Sequence, residues 1–135
     1  METQKLIAQR ARDAWGFIYA ETCGAGRPGV DILNTPGLAV EVKATKAVDM
    51  PDWLRQATRN ARAGLPDGTP ADLPLVVYRP QGYGPATVGD WPVIMRLEDA
   101  EALLRAGGYF PVNAADLPVP APAPEEAVPD DGEED

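Results

Sequence analysis

The stretch Pro28-Gly29-Val30-Asp31-Ile32-Leu33-Asn34-Thr35-Pro36-Gly37-Leu38-Ala39-Val40-Glu41-Val42-Lys43-Ala44 decides how this chain is read. Its two short apolar runs flank Asn34-Thr35-Pro36-Gly37, a turn signature, and so predict a hairpin. Side chains alternate faces along a strand, which puts Glu41 and Lys43 on one face and Val40 and Val42 on the other. Charges inside an apolar strand are costly to bury unless they pair or meet a cation and water. Asp31, between Val30 and Ile32, is as unexpected in its strand as Glu41 is in the next. A five-residue loop from Asn34 to Leu38 sets Asp31 opposite Glu41, whereas a four-residue loop sets Val30 there and parts the acids. Convergence of the acids therefore requires the five-residue register or a bulge that mimics it.

Upstream, Leu6, Ile7, Ala11, Ala14, Phe17 and Ile18 fall at the three-and-four spacing of a helix face, predicting a helix from residue 3 to about 20. Downstream, Pro51 suits a first helical position and Gly64 the residue just past a helix end, which together bound a second helix. Leu75-Val76-Val77-Tyr78 reads as a strand buried on both faces, Trp91 to Leu97 as a further strand, and Asp99 to Ala106 as a last helix stopped by Gly107-Gly108. Trp15, Trp53 and Trp91 each fall in an apolar periodic segment and are expected in the core. The expected order is α-β-β-α-β-β-α over residues 1–112, an α/β domain with a mixed sheet flanked by helices. Residues 113–135, rich in proline, alanine and acid, lack the apolar surface to offset ordering entropy and are expected to form a disordered acidic tail.

Composition then limits the chemistry. A chain of 135 residues supports one modest core. It has no histidine, which excludes Ser-His-Asp hydrolysis, Cys-His proteolysis and imidazole-ligated zinc, and leaves carboxylates and lysine. The single cysteine, Cys23, cannot form an intramolecular disulfide and is read as a small structural residue. No apolar run in the first twenty residues is long enough for a signal peptide or a membrane span, so a soluble, cytoplasmic protein without membrane partners is expected. Gly24, Gly26 and Gly29 are followed by no Gly-Lys-Ser or Gly-Lys-Thr, so no nucleotide cofactor is expected. The net charge of -9 is unevenly spread: eight acids lie from Asp116 onward, leaving 13 acids against 12 bases in residues 1–115. The body is thus near neutral and compatible with a polyanionic partner.

Two carboxylates side by side repel each other, and a hard divalent cation such as Mg2+, with Mn2+ able to substitute, relieves that repulsion while keeping most of its waters. Such a cation activates water and stabilises charge on a phosphate, while Lys43 can orient the water or offset negative charge. Acid, acid and lysine suffice for phosphodiester hydrolysis. The series Pro28-Gly29-Val30-Asp31 and, ten positions on, Glu41-Val42-Lys43 resembles the signature of the PD-(D/E)xK nucleases. From about Gly16 to Leu104 the chain is similar to the small Holliday junction resolvase-like proteins of bacteria and their phages. That similarity rests on Gly16-Phe17, Pro28-Gly29-Val30-Asp31-Ile32, Trp53-Leu54-Arg55-Gln56-Ala57, Val76-Val77-Tyr78-Arg79 and Trp91-Pro92-Val93-Ile94-Met95. The resemblance implies a restriction-endonuclease-like core, a Mg2+-dependent, structure-specific endonuclease acting on DNA, and a homodimer. It also implies Asp31, Glu41, Lys43 and Gln56 as catalytic residues, with Asp31 and Glu41 on the metal. Many resolvases carry a further metal-binding glutamate on the first helix; here Glu2 lies near its start and Glu21 near its end, and neither is assigned.

On the second helix Arg55, Arg59 and Arg62 fall on one stripe, opposite Trp53, Leu54, Ala57 and Ala61. No acid is counted on that stripe, so these arginines are expected to contact the DNA backbone, with Arg27 and Lys46 extending the track beside the hairpin. Three other readings compete. One is a nickase or restriction-like nuclease on ordinary duplex, and another is a non-catalytic nucleic-acid-binding module with a nuclease-like fold. In the last, Asp31, Glu41 and Lys43 form an ordinary ion-pair network.

Overall fold

A computed structural model describes residues 2–24, 30–63 and 71–122 of the chain. Ile7, Ala8 and Ala11 share a helical face and are buried in α1 (Glu2–Asp13). This helix stops at Asp13 rather than near residue 20. The Phe17 N–H donates back to Ala11 O (3.0 Å), and Gly16 takes φ +85, a conformation open to glycine, so the chain turns out of the helix. Ile18, counted in the predicted stripe, is consequently 66% exposed.

Two residues, β1 (Glu21–Thr22), pair antiparallel with β2 (Ile32–Leu33). Next, β3 (Gly37–Lys43) leads into α2 (Met50–Ala63), close to the helix that Pro51 and Gly64 predict. After it come β4 (Ala71–Tyr78), a 3-10 turn over Pro85–Asp90, β5 (Val93–Ile94) and α3 (Leu97–Ala106). The main sheet runs β3-β4-β5, parallel between β3 and β4 and antiparallel between β4 and β5. The fold is therefore α/β, a mixed sheet flanked by helices, with β1 as a strand the sequence reading misses. Pro74 is buried in the central strand at a position β5 does not reach, since β5 pairs only with Val76 and Val77. The strand expected from Trp91 to Leu97 shrinks to two residues because the 3-10 turn reaches Asp90 and the last helix already starts at Leu97.

The predicted hairpin is the main correction, because β2 pairs with β1 and not with β3. Asn34 (φ 64) and Gly37 (φ 90) do make a turn, and one backbone bond, Asp31 N–H to Val40 O (3.0 Å), joins the two segments. A ladder fails because the chain bends at Asp31. Val30 packs with Ala39 and Ala61, whereas Ile32 packs with Val40 and Val42, so the alternation that pairing needs is lost there.

Both faces of the sheet are covered. Val40, Val42, Leu75 and Val77 pack against Ile7, Ala8 and Ala11 of α1 and against Trp91. On the other face Val76 packs against Trp53 and Ala57 of α2, and Ala39 against Ala61. Burial of each such aliphatic side chain contributes roughly 1.5–3 kcal/mol, so the two helices fix the sheet from either side. Trp53 and Trp91 are buried, Trp15 packs against the α1-side core, and Cys23 is a buried free thiol.

The chain divides into two units, Met1–Leu103 and Leu104–Asp135. In the second, Gly108 (φ 83) and the bond from Tyr109 N–H to Leu104 O (2.9 Å) close α3, and Arg105 lies over the Phe110 ring. A 3-10 turn follows at Ala114–Asp116. From residue 123 on, the expected acidic tail lies outside the described residues, as does Arg27. Among the described residues no helix is long and apolar enough to cross a membrane.

Candidate functional site

Alternation along β3 points Val40 and Val42 toward α1 and leaves Glu41 and Lys43 on the face that α2 covers. Glu41 is 1% exposed, deeper than a polar strand face would place it. Its Oε1 accepts a hydrogen bond from Asn60 Nδ2 (3.1 Å), and its Oε2 lies 3.9 Å from Lys43 Nζ. The lysine, partly exposed, donates instead to Gln56 Oε1 at 2.9 Å. Asp31 arrives by the bend. Its backbone bond to Val40 belongs to the register that would set Val30 opposite Glu41, yet its Oδ2 accepts the Val42 N–H at 2.7 Å on the free edge of β3. The bend thus does the work of the bulge that the sequence requires. Lys43 thus links Glu41 to Gln56, and Asp31 is near enough for its charge to act on Glu41.

Asn60 is the residue that sequence reasoning missed. It lies one helical turn beyond Gln56, so both amides project from the same flank of α2, between the apolar and the basic stripes. A polar pair at that spacing beside an apolar stripe is the signal that was available.

The charges do not balance as in an ordinary ion pair. Burial first, then the charge of Asp31, pushes the Glu41 carboxyl up to about 7, against the opposing pull of Lys43 and the Asn60 hydrogen bond. Burial likewise raises Asp31 above its ordinary value, opposed by the Val42 N–H and Lys43. An ammonium near 4 Å attracts a carboxylate by about 4 kcal/mol at an effective dielectric constant of 20. Loss of hydration, several kcal/mol for each buried ion, together with repulsion from the neighbouring carboxylate, exceeds that attraction. When both are ionised, the pair of acids carries more negative charge than Lys43 offsets.

No three His, Cys, Asp or Glu side chains gather at one point among the described residues. Glu2 is engaged by Arg79 (3.4 Å) and Glu21 by Asn34 Nδ2 (3.3 Å), so neither adds a ligand. Two carboxylates are nonetheless what a small hard cation takes from protein when water and substrate phosphate supply its remaining oxygens. The donor set fits Mg2+ or Mn2+.

The basic residues divide between two places. Arg55, Arg59 and Arg62 are exposed and, with Leu54, Thr58 and Arg96, line a groove of about 600 Å3. Leu54 and Ile94 of β5 pack on the same core cluster, so this groove opens on the β5 side of α2, while Gln56 and Asn60 face β3. Contrary to the sequence reading, the stripe is not free of acid, because Asp52 pairs with Arg55 (3.4 Å). Arg96 is tied to Asp99 (2.9 Å) and Glu98 (3.2 Å). Lys46 lies beyond the end of β3, in a separate hollow that Arg79 also lines. No protein-family model, curated protein or solved structure matches the chain.

Proposed function

We propose that the chain is a metal-dependent endonuclease of the PD-(D/E)xK type that hydrolyses DNA phosphodiester bonds at branched structures, as a homodimer in the cytoplasm. The observation that carries the reading is the convergence of Asp31 and Glu41 around a charge imbalance that Lys43 does not cancel. In a structural ion-pair network the lysine would hold Glu41 below its ordinary carboxylate range; the opposite shift favours a site awaiting a cation. Branch preference and the homodimer rest on the sequence resemblance.

Asp31 Oδ1 and Glu41 Oε2 have no hydrogen bond among the described residues, and these two carboxylates would hold the cation. When bound, it supplies positive charge beside the phosphate and acidifies water. Lys43 spends one N–H on Gln56, which fixes its direction, and keeps two for a phosphate oxygen or the attacking water. Asn60 keeps the Glu41 carboxylate from rotating. In the reaction water oxygen bonds to phosphorus, one phosphorus–oxygen ester bond breaks, and the departing oxygen ends as a hydroxyl carrying a proton from that water.

Purified protein incubated with a four-way junction, a flap and a linear duplex in Mg2+ or Mn2+ is expected to cut the junction fastest, and EDTA is expected to stop cleavage. Equal cutting of plain duplex would indicate a restriction-like nuclease. Salt-sensitive binding without cleavage in either metal would indicate a non-catalytic module.

The α2 groove supports DNA contact through Arg59 and Arg62, which have no acidic partner among the described residues, more than through Arg55. Arg59→Glu with Arg62→Glu is expected to weaken binding to every DNA sequence and to lower the slope of log affinity against log salt by about 2. An unchanged slope in fluorescence anisotropy would move the DNA path off this face.

A further inference from the structure

The parallel pairing of β3 with β4 does not end at Lys43 and Tyr78, because Arg79 N–H donates to Lys43 O at 2.8 Å. The backbone of Arg79 therefore adjoins that of the site lysine, whose register partner is Tyr78. Its side chain leaves on the α1 side and lies over the Trp91 ring, 5.3 Å from the centroid. The guanidinium is held in place: Nε donates to Tyr83 O (2.7 Å) and Nη1 to Thr3 Oγ1 (3.1 Å), with Glu2 Oε1 at 3.4 Å. Its Nη2 makes no hydrogen bond among the described residues. Lys46, exposed and also without a partner among them, lines the same hollow of about 380 Å3, as do Thr3 and Gln81.

We propose that this hollow is a phosphate subsite, which seats a backbone phosphate of the DNA strand next to the one being cut. The proposal rests on the nuclease reading of the adjoining site. A fixed guanidinium and an exposed ammonium on one hollow suit a phosphodiester, whose two charged oxygens can each take a separate cationic donor. Other donors are present. Thr3 Oγ1 accepts from Arg79 and so keeps its own O–H to give, and the Gln81 amide carries no hydrogen bond among the described residues. The Thr45 hydroxyl is already spent on Ala47 O and contributes nothing. Because Arg79 is oriented before any ligand arrives, little ordering entropy is lost on binding. Lys46 follows Lys43 by three residues, at most about 10 Å of chain, so one strand can reach both the site and the hollow. The α2 arginine groove is separate, opening on the β5 side of α2. Glu2, with its side chain 70% exposed, is the carboxylate that an incoming phosphate meets at Arg79.

Two exposed positions test the subsite with opposite signs. Fluorescence anisotropy of a labelled duplex with the full chain, in EDTA across a salt series, is expected to show Lys46→Ala weaker by on the order of fivefold at low salt, with the salt slope reduced by about 0.9. Glu2→Gln, which removes the competing charge, is expected to bind more tightly. In parallel, inorganic phosphate is expected to shift the backbone amide signals of Thr45, Lys46, Gln81 and Gly82 in NMR spectra of the wild type. A wild-type slope in Lys46→Ala, or no gain in Glu2→Gln, overturns the subsite. Shifts with inorganic phosphate but an unchanged DNA slope overturn it too, since the hollow would then take free phosphate only. Cleavage by the wild type in Mn2+ decides the nuclease reading separately. Lost slope without cleavage refutes the nuclease reading and leaves the hollow as a DNA-phosphate contact of a non-catalytic module, whereas cleavage with an unchanged slope keeps the nuclease reading and overturns the subsite.

Discussion

Replacing Glu41 with glutamine is expected to lower junction cleavage by at least about a thousandfold while leaving the fold and the DNA affinity in place. Loss of a single group that stabilises transition-state charge costs roughly 10²–10³ in rate, and a lost metal ligand adds to that. The substitution keeps the shape of the side chain and an oxygen to accept from Asn60 Nδ2. It also removes a carboxylate from beside Asp31, where burial and mutual repulsion already disfavour the charged form. The melting temperature of the metal-free variant is therefore expected to match or exceed that of the wild type at pH 8. An ion-pair network predicts the contrary, because Lys43 would be left without its partner and stability would fall. Quenched time courses on the junction in Mn2+, beside thermal melts of both proteins, separate the two. Wild-type cleavage by Glu41→Gln would falsify the assignment, and inactivity with a lowered melting temperature would make Glu41 a structural residue.

Much of this site was legible because strand alternation is a strong rule. Val40-Glu41-Val42-Lys43 fixes which two side chains share a face whatever the strand pairs with, and Pro51 and Gly64 place α2, hence Gln56, within a residue or so. The partners of those strands were not legible. Apolar runs in β2 and β3 look alike to any pairing scheme, and the bend that breaks the alternation at Asp31 depends on Val30 and Ile32 finding cores on opposite sides of the sheet. That is a tertiary preference. The end of α1 was misplaced for a related reason, since Phe17 does reach the core, as its spacing predicts, but through the turn at Gly16 and not along a helix. The spacing of Asn60 from Gln56 was visible, but its importance comes from the depth of Glu41, which no local pattern encodes.

The same imbalance of charge predicts how stability depends on pH and on metal. In the unfolded chain Glu41 titrates near its ordinary 4.5 and Asp31 near 3.8, whereas in the folded chain the first is raised to about 7 and the second is raised as well. Between about pH 4.5 and 7 the folded state therefore holds a proton on Glu41 that the unfolded state has released. Stability of the metal-free protein is greatest at the acid end of that window and falls as pH rises through it, by as much as about 1.4 kcal/mol per pH unit and about 3 kcal/mol in all. Above pH 7 the loss is complete and the curve flattens. On the proposed reading a divalent cation would bind the ionised pair of the folded state, and at a hundred times its dissociation constant it would restore about 2.7 kcal/mol. In EDTA the wild type is expected to melt several degrees lower at pH 8 than at pH 5.5, and Mg2+ or Mn2+ is expected to raise the melting temperature at pH 8 and hardly at pH 5.5. Glu41→Gln lacks the titrating group and is expected to lose most of both effects, while keeping the background that the other acids impose on wild type and variant alike. Identical pH profiles for the two proteins in EDTA, or equal stabilisation by metal at both pH values, would show that Asp31 and Glu41 do not form a shared cation site.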